Sequence, residues 1–356
     1  MAATPDTPAL LGASTARLAA GGHASRAETA ALVAGVLDGT VDLAAFGRWL
    51  VALADLGESA AEIAGVAAAL RGRMTRVEHD LPLVADTCGT GGDGSGTFNI
   101  STAAAIVAAA AELPVAKHGN RAVSSRTGSG DVLEALGVRI DAPTAVSAAC
   151  LREIGLCFCL APVHHPALAT VGPLRRSLGR PTVFNLVGPL CNPAGATVQV
   201  IGVGRPTARE PVAEAAFALG ATRVLVVSGT IAGDAGKAFD EVSLFGPTDV
   251  VDVSASGTLR FRWTPEEFGI ATRPAADVAA LTVAGPAESA AAIRAVLWGE
   301  HGPRRDVVVL NAAAVLWAAG RAPDPAAAAR LAAAAIESGG AAAKLDRLVA
   351  LSSPGP

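Results

Sequence analysis

The chain has 356 residues, 51% of them hydrophobic and 17% charged, so it can bury a sizeable core and does not belong to the disordered class. Its formal net charge of −4 gives no general attraction to nucleic acid or acidic membranes, and its longest helix-like apolar run, around Ala103 to Ala111, falls far below the roughly 18 residues of a membrane span. No basic segment followed by an apolar core opens the chain, and five cysteines, at 88, 150, 157, 159 and 191, form no C-x-x-C pair; a reduced, cytoplasmic setting is expected.

Residues 1–13 read as a loose tail. Over 14–80, Ala-rich segments carry Leu and Val at three- and four-residue spacing and break at Gly21-Gly22, Asp38-Gly39 and Gly57. That pattern predicts an all-helical domain of three or four short helices with no chemistry of its own. A module of this kind packs against something, and a dimer partner is the expectation. From 81 to 356, β-like runs alternate with helical ones. The strand candidates are Val115-Ala116, Val138–Ile140, Cys157–Leu160, Val198–Val203, Val224–Val227 and Val307–Leu310. Helices are predicted over Asp131–Leu136, Thr144–Glu153, Pro211–Leu219, Ala287–Leu297 and Pro325–Glu337, the last with Asp324 as N-cap. The alternation predicts an α/β domain with a mostly parallel central sheet flanked by helices. Ligands in such sheets collect at the carboxyl ends of strands, which is where the unusual sequences lie.

The first unusual stretch is Asp86 to Thr102. A strand-like run, Leu83-Val84-Ala85, leads into glycines, and a helix-prone run follows. Glycine lets the backbone approach a ligand closely, Ser101 and Thr102 stand where an N-cap belongs, and the helix aims its free N–H groups back at the loop. Such a corner binds an anion, most often a phosphate. Gly89, Gly91 and Gly94 satisfy the dinucleotide pattern G-x-G-x-x-G, yet Ser95 to Asn99 separate them from the helix. The next strand-like run ends in cationic Lys117-His118 where a ribose-binding acid belongs. No Lys-Ser/Thr pair follows the glycines, as a Walker loop requires. A plain glycine-rich turn is the alternative.

Three further loops carry chemistry. Lys117 to Asp131 sets cations, Asn120 and three serines among glycines, suited to neutralising and hydrogen-bonding phosphate. The run from Ala161 through His164-His165-Pro166 to Arg175-Arg176 and Asn192-Pro193 suggests a proline-bounded substrate loop with an arginine for a carboxylate; adjacent histidines rarely share a metal. Asp240-Glu241 beside phosphate loops suggests Mg²⁺, which keeps water and phosphate oxygens as ligands. Read singly, each of these also fits a solvated loop or polar corner.

Taken together, the motifs resemble the anthranilate phosphoribosyltransferase family. The runs that carry the resemblance are Gly89 to Gly94 with Thr97 to Thr102, Lys117 to Arg121 with Ser125, and Ala161-Pro162 with His165 to Ala167. Arg175, Phe184 to Leu186, Gly188 to Leu190, Asn192-Pro193, Asp240 to Ser243 and Leu310 to Ala313 complete the set. The resemblance implies the nucleoside-phosphorylase-like fold, with the small helical domain completed by a return near 166–190, and a homodimer through that domain. It implies transfer of the 5-phosphoribosyl group from phosphoribosyl pyrophosphate to the amine of anthranilate. By motif position, Gly89, Thr90, Gly91, Gly92, Asp93, Asn99, Ser101, Thr102 and Lys117 hold phosphoribosyl pyrophosphate. Ser101, Asp240 and Glu241 serve two Mg²⁺ ions. His118, Asn120, His165 and Arg175 line the anthranilate tunnel, while Thr97, Gly119, Arg121, Ser125, Ser129 and Gly188 complete the substrate site. Lys117, Asn120 and Arg175 carry the catalytic roles. A paralogue using another aromatic amino acid and a pyrimidine nucleoside phosphorylase stay open beside this expectation.

Overall fold

The fold of the computed structural model follows from where its helices are capped and which faces its strands bury. Residues 7–122, 125–231 and 238–353 are described; Ser124 of the basic loop and most of the stretch leading to Asp240 lie outside them. Four helices come first: α1 (Thr7–Ala19), α2 (Arg26–Leu37), α3 (Leu43–Leu56) and α4 (Ala60–Arg71). Ser25 and Glu28 close a capping box on α2, Ser59 and Glu62 another on α4, and Asp42 caps α3, so each start is written locally. Helix α1 begins at Thr7, inside the stretch expected to be a loose tail. Its Leu11 and Leu18 are buried, and Ser14 accepts the Trp49 Nε1–H at 2.9 Å. Tertiary burial of this face packs it onto α3.

The sheet opens with β1 (Ala85–Thr87), α5 (Ile100–Ala110), β2 (Val115–Gly119), α6 (Ser129–Ala135), α7 (Thr144–Ile154) and β3 (Leu156–Leu160). Three short helices follow, α8 (Ala161–His164), α9 (Gly172–Leu178) and α10 (Phe184–Val187). The chain returns to the sheet through β4 (Val198–Gly202), α11 (Arg209–Ala218) and β5 (Arg223–Gly229), then adds β6 (Thr248–Ser254) and β7 (Gly257–Trp263). Helices α12 (Pro286–Leu297), α13 (Pro303–Ala318), α14 (Pro325–Glu337) and α15 (Gly340–Ser352) complete it. Seven strands lie in the order β3-β2-β1-β4-β5-β6-β7. From β3 to β5 neighbours are parallel, while β6 and β7 run antiparallel at one edge. The chain steps outward from β1 to β3, then jumps back to β4 on the other side of β1. The β1/β4 junction is therefore the topological switch point, where a ligand crevice forms.

Alternation along the strands divides the core in two. Val200, Leu225 and Val227 face a cluster containing α5 and α13, whereas Ile201, Val224 and Val226 face the one containing Phe46, Trp49, Leu53 and Ile63. Val171, Val183, Phe184 and Leu190, from the middle of the chain, join the second cluster. The first helices thus share a continuous apolar core with one sheet face and with the α9–α10 region.

Several sequence expectations are corrected. Val307–Leu310, expected as a strand, lies inside helix α13 and is buried along its whole length, the case in which an apolar run has no readable period. Val138–Ile140 forms no strand; Val138 and Ile140 plug the core from a connection. Ser101 and Thr102 occupy the first turn of α5, whose N-cap is Asn99, without a side-chain cap bond. The β6–β7 hairpin and α15 carried no signal that was picked out. Asp324 does cap α14, accepting from Ala327 N–H at 2.7 Å, with Pro325 at the first helical position. Among the described residues, no helix is long and apolar enough to cross a membrane.

Candidate active site

A cavity of about 420 Å³ opens at the switch point. Its floor is the loop after β1. Gly91, Gly92, Gly94 and Gly96 all take positive φ, between 66° and 83°, which turns successive backbone segments toward the cavity at no steric cost. Thr90 N–H donates to the Gly202 carbonyl at 2.8 Å, tying the loop to the end of β4. Gly202 itself has to be glycine, since a Cβ there would overlap the Asp240 carbonyl. Asp93 shapes the loop: its Oδ1 accepts from Ser95 N–H and Ser95 Oγ–H, both at 3.0 Å.

Lys117 reaches up from β2. Its Nζ donates to the Thr87 carbonyl at 2.6 Å and to Ser101 Oγ at 3.4 Å. Opposite, Glu241 Oε1 accepts from Ser101 N–H at 3.2 Å, and Asp240 N–H donates to Asp93 Oδ2 at 3.4 Å. Burial, reinforced by the charges of Asp93 and Glu241, pushes the Asp240 carboxyl well up; burial pushes Glu241 up to about 8, with Lys117 pulling the other way. These acids are short of positive charge. Their hard oxygens suit Mg²⁺, which takes few protein ligands and completes its shell with water and phosphate. Among the described residues, no three His, Cys, Asp or Glu side chains converge into a metal cage.

At the other end stands Arg175, on α9. Its guanidinium lies over the Phe184 ring, 5.2 Å from the centroid, and has no ion-pair partner among the described residues. Burial lowers its pKa. Its neighbour Arg176 is exposed, so the fold separates the two arginines that the sequence left side by side. The paired histidines separate too. His165 lines the cavity, while His164 donates from Nδ1 to the Thr75 carbonyl at 2.9 Å and lies beside Cys159.

His118 and His165 face each other with ring centres 5.2 Å apart. His118 Nδ1 donates to the Gly188 carbonyl at 3.0 Å and His165 Nε2 to the Cys191 carbonyl at 2.9 Å, because a carbonyl can only accept. The remaining nitrogens, His118 Nε2 and His165 Nδ1, are buried without a hydrogen-bond partner among the described residues. Burial pushes His118 down to about 3 and His165 to about 4, so both rings are neutral at pH 7.

The expected loop residues gather here as a set. Gly89 to Asp93, Thr97, Asn99 and Ser101 line the cavity, as do Lys117 to Arg121, Ser125, Ser129 and Gly188. Thr102 does not: it is fully buried in α5, its hydroxyl unpartnered. Arg121 points its guanidinium at Asp131 and Glu134, at 3.2 and 2.7 Å, latching the basic loop to α6. Asn120 accepts the Arg121 N–H at 2.8 Å through its side-chain oxygen. Sequence reasoning missed Arg126, which lines the cavity and was legible only as one more cation in a basic loop. It also missed Ser289, whose Oγ–H donates to Asn99 Oδ1 at 2.8 Å from 190 residues away. No local pattern announces a contact of that range.

Comparison with known proteins places this architecture. Residues 14–74 match the helical bundle domain of a glycosyl transferase family and residues 81–342 match its α/β domain. The anthranilate phosphoribosyltransferase of Methylobacterium nodulans is 46% identical over 337 residues, covering 95% of this chain and 97% of that protein. That of Chloroflexus aggregans is 47% identical over 330 residues, with 92% and 94% covered. The crystal structure of the Thermus thermophilus enzyme superposes with a TM-score of 0.87 at 42% identity, covering 95% of this chain and 99% of the other. The Saccharomyces cerevisiae enzyme, solved in complex with phosphoribosyl pyrophosphate and Mg, gives 0.85 at 28% identity, with 97% and 98% covered. The chain belongs to this glycosyl transferase family and, within it, to the anthranilate phosphoribosyltransferases.

Proposed function

We propose that the chain transfers the 5-phosphoribosyl group from phosphoribosyl pyrophosphate to the amine of anthranilate, releasing pyrophosphate. The observation that carries this reading is that one cavity joins a glycine-rich anion cradle with Lys117 to an unpaired, half-buried Arg175 stacked on Phe184. The yeast relative has also been solved with 4-fluoroanthranilate, at 26% identity and a TM-score of 0.84.

In this reading the loop between Gly89 and Asp93, apart from the Thr90 N–H already tied to Gly202, and the α5 N-terminus take the phosphates, with Asn99, Ser101 and Lys117 beside them. Ser101, Asp240 and Glu241 would hold Mg²⁺, two ions by this proposal. Held by these residues, Mg²⁺ would supply positive charge opposite the departing pyrophosphate. Departure leaves oxocarbenium character on the ribosyl C1, the charge problem that glycosidases share. Lys117 stays fixed by Thr87 and Ser101 and so meets leaving-group charge without reorganising. Arg175 takes the anthranilate carboxylate by paired hydrogen bonds, and the ring of Phe184 fixes the plane of the guanidinium. An aryl amine carries its lone pair free at neutral pH, so no strong base is required; alignment of nitrogen with C1 supplies the remaining acceleration. Homodimerisation through the helices of 14–80 forms part of the same proposal.

Pyrophosphate release tests it. Phosphoribosyl pyrophosphate, Mg²⁺ and anthranilate together should yield stoichiometric pyrophosphate, with other aminobenzoates and nucleobases slower. Release with a different acceptor and none with anthranilate would overturn the assignment.

A further inference from the structure

Strands β1 and β2 part early. They are registered at Ala85 opposite Val115 and no further, while β1 stays beside β4 up to Thr87 opposite Val200, and β2 beside β3 up to Gly119 opposite Leu160. The split lies between the strand that feeds the glycine loop and the strand that carries Lys117. Buried backbone groups that lose their ladder partners must find others. Side chains supply them. His118 N–H donates to Asp86 Oδ1 at 3.2 Å, and Lys117 Nζ donates to the Thr87 carbonyl at 2.6 Å. Asn192 Nδ2 donates both to the Ala116 carbonyl, at 2.7 Å, and to Asp86 Oδ2, at 2.8 Å. Asp86 is 0% exposed and Asn192 1%, and neither lines the cavity.

We propose that Asp86 is a positioning residue: with Asn192 it forms a polar wedge that holds β1 apart from β2 and so places Lys117 and His118 at the reacting end of the cavity. The proposal rests on reading that cavity as the phosphoribosyl pyrophosphate site. A carboxylate is required because two N–H donors converge on it, one on each oxygen. Both Asn192 amide hydrogens are already engaged, and its oxygen accepts from Ala194 N–H at 2.9 Å. An asparagine at 86 has the same shape but turns an N–H against one of those donors, leaving a buried donor unpaired. Burial pushes the Asp86 carboxyl up to about 7, while Lys117 and the two donors pull it down, so the contacts that set the geometry also favour the charge. The wedge reaches the aryl end as well, since Asn192 follows Cys191, whose carbonyl fixes the His165 ring.

A double-mutant cycle separates positioning from mere support. Turnover and Mg²⁺-dependent binding of phosphoribosyl pyrophosphate are measured for Asp86→Asn, Lys117→Gln and the double variant. Asp86→Asn should lower kcat by about 10- to 100-fold, the cost of a misplacement of order 1 Å. On top of Lys117→Gln the same change should cost less than about threefold, because it acts through that lysine. Losses that multiply, or an Asp86→Asn enzyme that turns over normally, would overturn the proposal. If Asp86→Asn fails to fold, Asn192→Ala removes the other half of the wedge and should show the same non-additivity with Lys117→Gln; multiplied losses there count equally against it. A wild-type chain that binds no phosphoribosyl pyrophosphate sinks the functional reading alone. The wedge then stands or falls on a crystal structure of Asp86→Asn or Asn192→Ala: Lys117 Nζ leaves the Thr87 carbonyl if it is right and stays if it is wrong.

Discussion

The phosphate end and the aryl end of the cavity are made in different ways. The phosphate end is built from loops that leave adjacent parallel strands, and its side chains are cross-braced before any ligand arrives: Lys117 to Thr87, Ser101 to Glu241, Asp93 to Ser95. The aryl end comes from α9 and α10, which pack into the helical core, and Arg175 there stacks on Phe184 without an ion-pair partner among the described residues. On the proposed assignment, charge that must be stabilised in the transition state would be met by groups already fixed, and the acceptor carboxylate by a group without an ion-pair partner among the described residues. The two ends should therefore fail differently.

The largest effect is expected at the phosphate end. Asp240→Asn with Glu241→Gln keeps the shape but removes the two carboxylates that a bound cation would hold ionised, and should reduce Mg²⁺-dependent turnover by about 10³-fold or more. A metal titration of initial rates checks it; a double variant with normal metal dependence would remove those acids from the site. At the aryl end Arg175→Ala should cost about 10- to 100-fold in kcat/KM for anthranilate, the value of a charge-assisted pair, and leave the KM for phosphoribosyl pyrophosphate unchanged. A rise in both KM values would mean that the ends are not separable. The smallest effect is on stability. His118 and His165 are held neutral, down to about 3 and 4, while the same residues in the unfolded chain take up protons near 6.5. The unfolded state therefore binds more protons as pH falls, and stability should drop between pH 6.5 and about 4 by on the order of 3 kcal/mol for each ring. Denaturant unfolding at a series of pH values measures this. His118→Gln should flatten the slope, and an unchanged slope would show that its ring is not held neutral.

Much of this architecture was legible in advance, for reasons specific to each element. The glycine loop, Lys117 and the Asp240-Glu241 pair stand out because glycine runs, a lysine and paired acids break the apolar pattern around the strands of a buried sheet. Val307–Leu310 misled because a helix buried on all sides has no polar face to reveal its period. The β6–β7 edge went unnoticed although Val250, Val251 and Val253 lie in it, since its alternation sits in a stretch that carries no chemistry. Arg175 and Arg176 are indistinguishable as letters. Only the packing of α9 on the helical core turns one into the cavity and the other to solvent.

What the order of residues settled alone was local: the glycine-rich corners with cations beside them, the Asp324 cap of α14, and which residue types line the cavity. Tertiary structure alone decided the partnerships across the fold. The Ser289 hydroxyl on Asn99, the carbonyls of Gly188 and Cys191 on the two imidazoles, and Asn192 on Asp86 join residues far apart in the chain. Buried polar groups must be satisfied by whatever the packing brings near them, and that condition has no short-range signature.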